Sequence, residues 1–125
     1  MVFDEDLQIL CGSLRNLRVF RLACSEITDV GFASVCSLPR LKTLDISKCS
    51  KLTNRGFCGL KKLMKLESLL MAYCNEITNV GFTEVSQLPS LKTLDTTGCS
   101  KIDYDLSPIL PHIRHKKKYT TKKYT

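Results

Sequence analysis

The sequence predicts an α/β solenoid, a stack of strand–helix units each too small to fold alone. Three observations carry that expectation. The stretch SLPRLKTLDISKCSKLTNRGF, residues 37–57, largely returns after a single period as QLPSLKTLDTTGCSKI. Cys24, Cys49, Cys74 and Cys99 stand 25 residues apart. Within each period the apolar residues change from a strand-like to a helix-like spacing. Self-similarity of this kind marks units that bury their apolar faces only by stacking on their neighbours.

Taken in order, residues 1–16 read as the helical half of a partial first unit, because Asp4, Leu7 and Leu10 stand 25 residues before Asp29, Phe32 and Val35. Four units follow over residues 17–111, with bounds 17–40, 41–65, 66–90 and 91–111. Each opens on a leucine (Leu17, Leu41, Leu66, Leu91), then Phe20, Leu44, Leu69 or Leu94, then Leu22, Ile46, Met71 or, with a lapse to polarity, Thr96. That L-x-x-L-x-L spacing predicts a short strand. After each cysteine come Ile27, Leu52, Ile77 and Ile102, then Thr28, Thr53 and Thr78. Asp29, Asn54 and Asn79 follow, residue types expected to cap a helix by accepting from its free N–H groups. The three helices are expected to bury Phe32, Val35 and Leu38; Phe57, Leu60 and Leu63; and Phe82, Val85 and Leu88, with Pro39 and Pro89 stopping two of them. Pro108 and Pro111 are expected to close the array. Residues 112–125, HIRHKKKYTTKKYT, read as a basic, unstructured tail that carries six of the formal +7 charges.

The pattern resembles the cysteine-containing leucine-rich repeat, common in F-box proteins and in plant hormone receptors built on them. Its consensus runs roughly P-x-L-x-x-L-x-L-x-x-C-x-x-I-T-D-x-G-L, and Pro39 to Phe57 meets it at nearly every fixed position. The resemblance spans about residues 4–107, uses Phe where the family has Leu after the Gly, and decays after Ile102. It implies a right-handed horseshoe with short parallel strands on the concave side and helices on the convex side. It also implies binding of a partner protein, in its most specific form as the substrate-recognition component of a ubiquitin-ligase adaptor, although the F-box that recruits the ligase is absent from these 125 residues. The alternative is a structural or assembly subunit of a large intracellular complex.

Other chemistries find little support. Equivalent residues on stacked turns lie about 4.8 Å apart with parallel Cβ vectors, which a disulfide cannot bridge. There is no C-x-x-C pair for zinc. The seven cysteines are therefore expected to be free thiols, the repeated four donating weakly to backbone and Cys11, Cys36 and Cys58 packing on the helical side. His112 and His115 lie in the basic segment without a third ligand, and no phosphate loop, catalytic carboxylate pair or nucleophile motif occurs. No enzymatic activity, cofactor or metal is expected. No apolar run approaches the ~18 residues of a membrane span, and no signal segment opens the chain, so an intracellular, cytoplasmic or nuclear location is expected.

The expected binding surface is the set of strand side chains that alternate away from the core: Val19, Arg21 and Ala23; Thr43, Asp45 and Ser47; Ser68, Leu70 and Ala72; Thr93, Asp95 and Thr97. Lys48 and Tyr73 stand at the rim. Read across the sheet, Arg21, Asp45, Leu70 and Asp95 suit a partner with a basic residue and an apolar plug. The same row also reads as solvated sheet, small because neighbouring rows crowd one another. A second candidate is the tail, where Arg114, Lys116, Lys117, Lys118, Lys122 and Lys123 interleave with Tyr119 and Tyr124. It suits nucleic acid, an acidic protein surface or nuclear import, or it serves solubility alone. The first unit lacks a polar cap, so its apolar edge is expected to be covered by another domain or subunit.

Overall fold

Five three-residue strands pair in chain order into one parallel sheet, and a helical segment carries the chain back from each of the first three to the next. The computed structural model describes residues 2–104 and 110–117. The elements are α1 (Asp4–Ser13), β1 (Val19–Arg21), α2 (Asp29–Val35), β2 (Thr43–Asp45), α3 (Asn54–Phe57), a 3-10 turn (Leu60–Lys62), β3 (Ser68–Leu70), α4 (Asn79–Ser86), β4 (Thr93–Asp95) and β5 (Arg114–Lys116). Val19 pairs with Thr43, Thr43 with Ser68, Ser68 with Thr93, and Thr93 with Arg114. Parallel neighbours cannot be joined by a tight turn, so every link is a crossover. The result is a mixed α/β fold. Among the described residues no helix is long and apolar enough to cross a membrane.

One apolar core runs through all turns. Leu41, Leu44, Ile46, Leu66, Leu69, Met71, Leu91 and Leu94 enter it from the sheet, and Phe32, Phe57 and Phe82 from the helices, all buried. Phe32 and Phe57 stack with centroids 5.8 Å apart. At roughly 1.5–3 kcal/mol for each fully buried large apolar side chain, this column supplies most of the stabilisation.

The structure corrects four expectations. First, the thiol ladder is one position out of step with the cysteine spacing. Lys48, Tyr73 and Gly98, which precede Cys49, Cys74 and Cys99, are left-handed at φ 62°, 59° and 72°, and so is Cys24 at 64°. Cys24 therefore corresponds to Lys48 and is exposed, while Ser25 occupies the ladder position. The first unit is one residue shorter, as the pairing of Val19 with Thr43 shows. Cys49, Cys74 and Cys99 donate through Sγ to the carbonyls of Leu22, Ile46 and Met71 in the preceding turn, at 3.2, 3.2 and 3.0 Å. The Ser25 hydroxyl donates to Leu22 as well. Burial pushes the Cys49 and Cys74 thiols up and that of Cys99 up to about 11, so they stay protonated. Cys11 and Cys36 are buried as expected, whereas Cys58 is exposed.

Second, the threonines cap the helices, not the residues after them. Thr28, Thr53 and Thr78 Oγ1 accept from Val30, Arg55 and Val80 N–H at 3.2, 3.3 and 3.3 Å. Asp29 instead reaches the next turn and accepts from Thr53 N–H at 2.9 Å and Thr53 Oγ1 at 2.5 Å. Asp4 does the same to Thr28; Asn54 accepts from the Thr78 N–H through Oδ1 and donates from Nδ2 to Thr78 Oγ1; and Asn79 Oδ1 accepts from the Asp103 N–H. These side chains staple neighbouring turns. The glycine three residues beyond each capping Thr makes room: a Cβ at Gly31 or Gly56 would fall 2.3 Å from an Asp4 or Asp29 oxygen, and one at Gly81 would fall 2.5 Å from Asn54 Oδ1. Burial raises the Asp4 carboxyl, but the Thr28 and Gly31 hydrogen bonds outweigh it and hold the pKa below 3.8.

Third, the helix expected over Phe57, Leu60 and Leu63 breaks into a single α-turn and a 3-10 turn at Cys58 and Gly59, although all three residues remain buried. Fourth, the segment from residue 112 is not an unstructured tail throughout. Arg114–Lys116 form β5, with Arg114 N–H donating to Lys92 O and Thr96 N–H to Lys116 O, each at 2.8 Å. An open β4 edge would leave these backbone groups unpaired, and β5 satisfies them. Pro111 therefore sits in a turn before a further strand and does not end the array.

Candidate protein-interaction face

Strands β2, β3 and β4 each bury their middle residue and turn their flanking residues toward the sheet face opposite the helices, and in β1 and β5 the middle residue is half-buried. The predicted residues Thr43, Asp45, Ser68, Leu70, Thr93 and Asp95 are all half-buried on that face, and Arg21 is exposed. Pairing brings Arg21, Asp45, Leu70 and Asp95 side by side, and β5 adds Lys116 beside Asp95. The row thus reads cation, anion, apolar, anion, cation.

Local hydrogen bonds fix these side chains. Asp45 Oδ1 accepts from Ser47 N–H at 3.0 Å, and Asp95 Oδ1 from Thr97 N–H at 2.9 Å. Thr93 Oγ1 donates to Ser68 Oγ at 2.8 Å, and Ala72 N–H to Ser47 Oγ at 3.2 Å. Among the described residues the ion pairs are Lys51 to Glu26 at 3.1 Å, Lys92 to Glu67 at 3.7 Å and Lys101 to Glu76 at 3.3 Å, and none uses Asp45 or Asp95. Leu70 therefore lies between two carboxylates, each held by one oxygen and without a cation in salt-bridge contact.

Tyr73 and Lys48 lie on the rim row with Cys24 and Gly98. The Tyr73 ring lies over Gly98, where a Cβ would come within 2.3 Å of it, and Lys48 Nζ is 5.9 Å from the ring centroid. Tyr73 remains 46% exposed, as a member of the rim stack.

Sequence reasoning missed a polar cluster at the end of the core. Thr96, the one lapse in the inward row, is fully buried, and its Oγ1 bonds Tyr104 OH at 2.5 Å and His115 Nε2 at 2.8 Å. The Phe82, Tyr104 and His115 rings pack with centroids 5.5–6.1 Å apart. Burial lowers the His115 pKa to about 4, Lys117 adds to the effect and Asp95 opposes it, so the ring is neutral at neutral pH. His112 is exposed in a turn, so the H-x-x-H pair does not converge. Among the described residues no cluster of His, Cys, Asp or Glu is disposed to hold a metal ion.

Of the predicted basic segment, Arg114 and Lys116 are exposed on β5, and Lys117 Nζ lies 5.1 Å from the Tyr104 ring centroid. Lys118, Tyr119, Lys122, Lys123 and Tyr124 lie outside the described residues.

Comparison with protein-family models and with curated proteins gives no match. Among solved structures, the chain is similar in fold to a chain from the crystal structure of the Rad7 and Elc1 complex in yeast. The two share 16% identity with a TM-score of 0.77, over 92% of this chain and 30% of that one. The present chain thus spans about a third of its neighbour's length.

Proposed function

We propose that this chain is a non-enzymatic protein-interaction module, a right-handed leucine-rich-repeat solenoid that binds a partner protein on the concave, helix-free face of its sheet. The observation that carries the reading is the row Arg21, Asp45, Leu70, Asp95, Lys116. A half-buried leucine between two carboxylates that form no ion pair among the described residues offers an apolar contact and two sites for a partner's cations. The structural neighbour was itself solved within a protein complex. In its most specific form the proposal is the substrate-recognition component of an intracellular ubiquitin-ligase adaptor, which rests on the repeat resemblance.

A second reading, a fixed subunit of a larger assembly, is favoured by the N-terminal edge. There β1 has a free side, and Phe3, Ile9, Leu14 and Val19 are exposed, Ile9 at 71% and Val19 at 49%. Affinity purification from the native cells after nuclease treatment, comparing wild type with Asp45→Lys/Asp95→Lys, separates the two. Partners lost with the double variant support the face. Cullin-ligase subunits among them support the adaptor. A stoichiometric set retained by the variant supports the assembly subunit.

A further inference from the structure

Apart from the last six cations of the sequence, the chain carries a net charge of only +1, which conceals a strong segregation. All helix-to-strand connections of a parallel stack emerge on one rim, here residues 14–18, 36–42, 58–67 and 87–92. Of the twelve acidic residues in the sequence, this rim holds only Glu67, and Glu67 is paired with Lys92. Against it stand Arg15 and the exposed Arg18, Arg40, Lys42, Lys61, Lys62 and Lys65, the last six in no ion pair among the described residues.

Their placement is fixed by the backbone. Lys42 N–H donates to Arg18 O at 2.8 Å, Glu67 N–H to Lys42 O at 2.9 Å, and Lys92 N–H to Glu67 O at 2.7 Å, so the rim advances one strand spacing, about 4.8 Å, per turn. Cations near helix C-termini complement the helix dipole. That accounts for Arg15, whose guanidinium donates to Cys11 O at 3.2 Å and Ser37 O at 2.9 Å. It does not account for Arg18 and Lys42 at strand entries, nor for three lysines around a 3-10 turn.

We propose that this rim is a second docking surface, distinct from the sheet face, for an acidic polypeptide segment that carries an apolar side chain among its carboxylates. Unpaired cations in a row steer and orient a polyanion. The nature of the polyanion follows from Met64, which is 60% exposed between Lys62 and Lys65 and offers an adaptable apolar seat. No aromatic ring is among the large apolar side chains exposed on this rim, which are Leu14 and Met64. A single-stranded nucleic acid would therefore find phosphate partners but no stacking platform.

The test is fluorescence anisotropy with the full chain and three labelled probes: a peptide of Glu-Glu-Leu-Glu repeats, an all-Glu peptide of the same length, and a short DNA duplex. The leucine-containing peptide should bind tightest, and Arg40→Glu/Lys42→Glu/Lys65→Glu should weaken it at least ~10-fold with an unchanged melting temperature. Met64→Ser should bring its affinity down to that of the all-Glu peptide. The milder Lys42→Gln/Lys65→Gln should fall between. Tighter binding of the duplex, binding lost only when Lys122 and Lys123 are neutralised, or no binding of the leucine-containing peptide would each overturn the proposal.

Discussion

At the N-terminal end of the stack, β1 has one neighbour, Val19 and Leu14 are exposed, and the first ladder position holds Ser25 bonded within its own turn. At the C-terminal end, the inward row changes from Leu22, Ile46 and Met71 to Thr96, whose hydroxyl is held by Tyr104 and His115 against Phe82. One end keeps apolar residues at its inward positions, with Leu7, Leu22 and Ile27 buried, and the other converts that row to a polar cluster. Thr96 is the residue at which the inward apolar pattern breaks. The intact pattern at the other end leaves a surface suited to further stacking.

Substitutions can break this contrast. The largest effect is expected for Phe82→Ala, about 3–5 kcal/mol by urea denaturation, because it removes the ring on which both Tyr104 and His115 rest. Leu7→Ala, equally buried beside the open end, should cost no more, and a larger loss there would reverse the ranking of the two ends. Next comes Asp29→Ala in the middle of the staple ladder, at about 1.5–3 kcal/mol, since the Thr53 N–H and hydroxyl lose a charged acceptor. Thr96→Val should cost about 1–3 kcal/mol by removing the buried hydroxyl that bonds His115 Nε2 and Tyr104 OH, while Tyr104 OH keeps its bond to the Thr96 carbonyl. Thr96→Leu with His115→Leu should recover much of that by restoring the apolar row, and failure to recover would mean that the cluster specifies more than an end.

Stability also depends on pH, and the two ends titrate in different windows. Between about 6.5 and about 4 the unfolded chain binds the proton that folded His115 refuses, so stability rises with pH there and falls on acidification. Asp4 acts at the open end with the carboxylate sign. Its depressed pKa gives stability that is present above 3.8 and lost as pH falls below it. Melting curves against pH should show both slopes, with the upper one absent in His115→Gln.

The strands, the helical crossovers, the core column and the outward row are readable because burial alternates with period two in a strand and recurs every three or four residues in a helix. Thr96 gives the only hint of the C-terminal cluster. β5 is hidden because Arg114–Lys116 carries charge where the repeat carries leucine, and because it pairs at a shorter interval than the other strands. The roles of Thr28 and Asp29 are easily exchanged because Thr and Asp both favour caps, and what separates them is a contact 24 residues away. Alignment on Cys24 is out by one residue because a shorter first unit puts a cysteine where the turn needs a left-handed residue. The cationic rim is invisible to a net charge, which sums over faces that only the fold separates.

The most direct measurement is photocrosslinking in the native cells with a benzophenone amino acid at position 70, on the sheet face, or at position 80, on the helix side. If the sheet face receives the partner, discrete protein adducts form from position 70 and are absent from position 80. Adducts from position 80 alone would contradict the proposed interaction face.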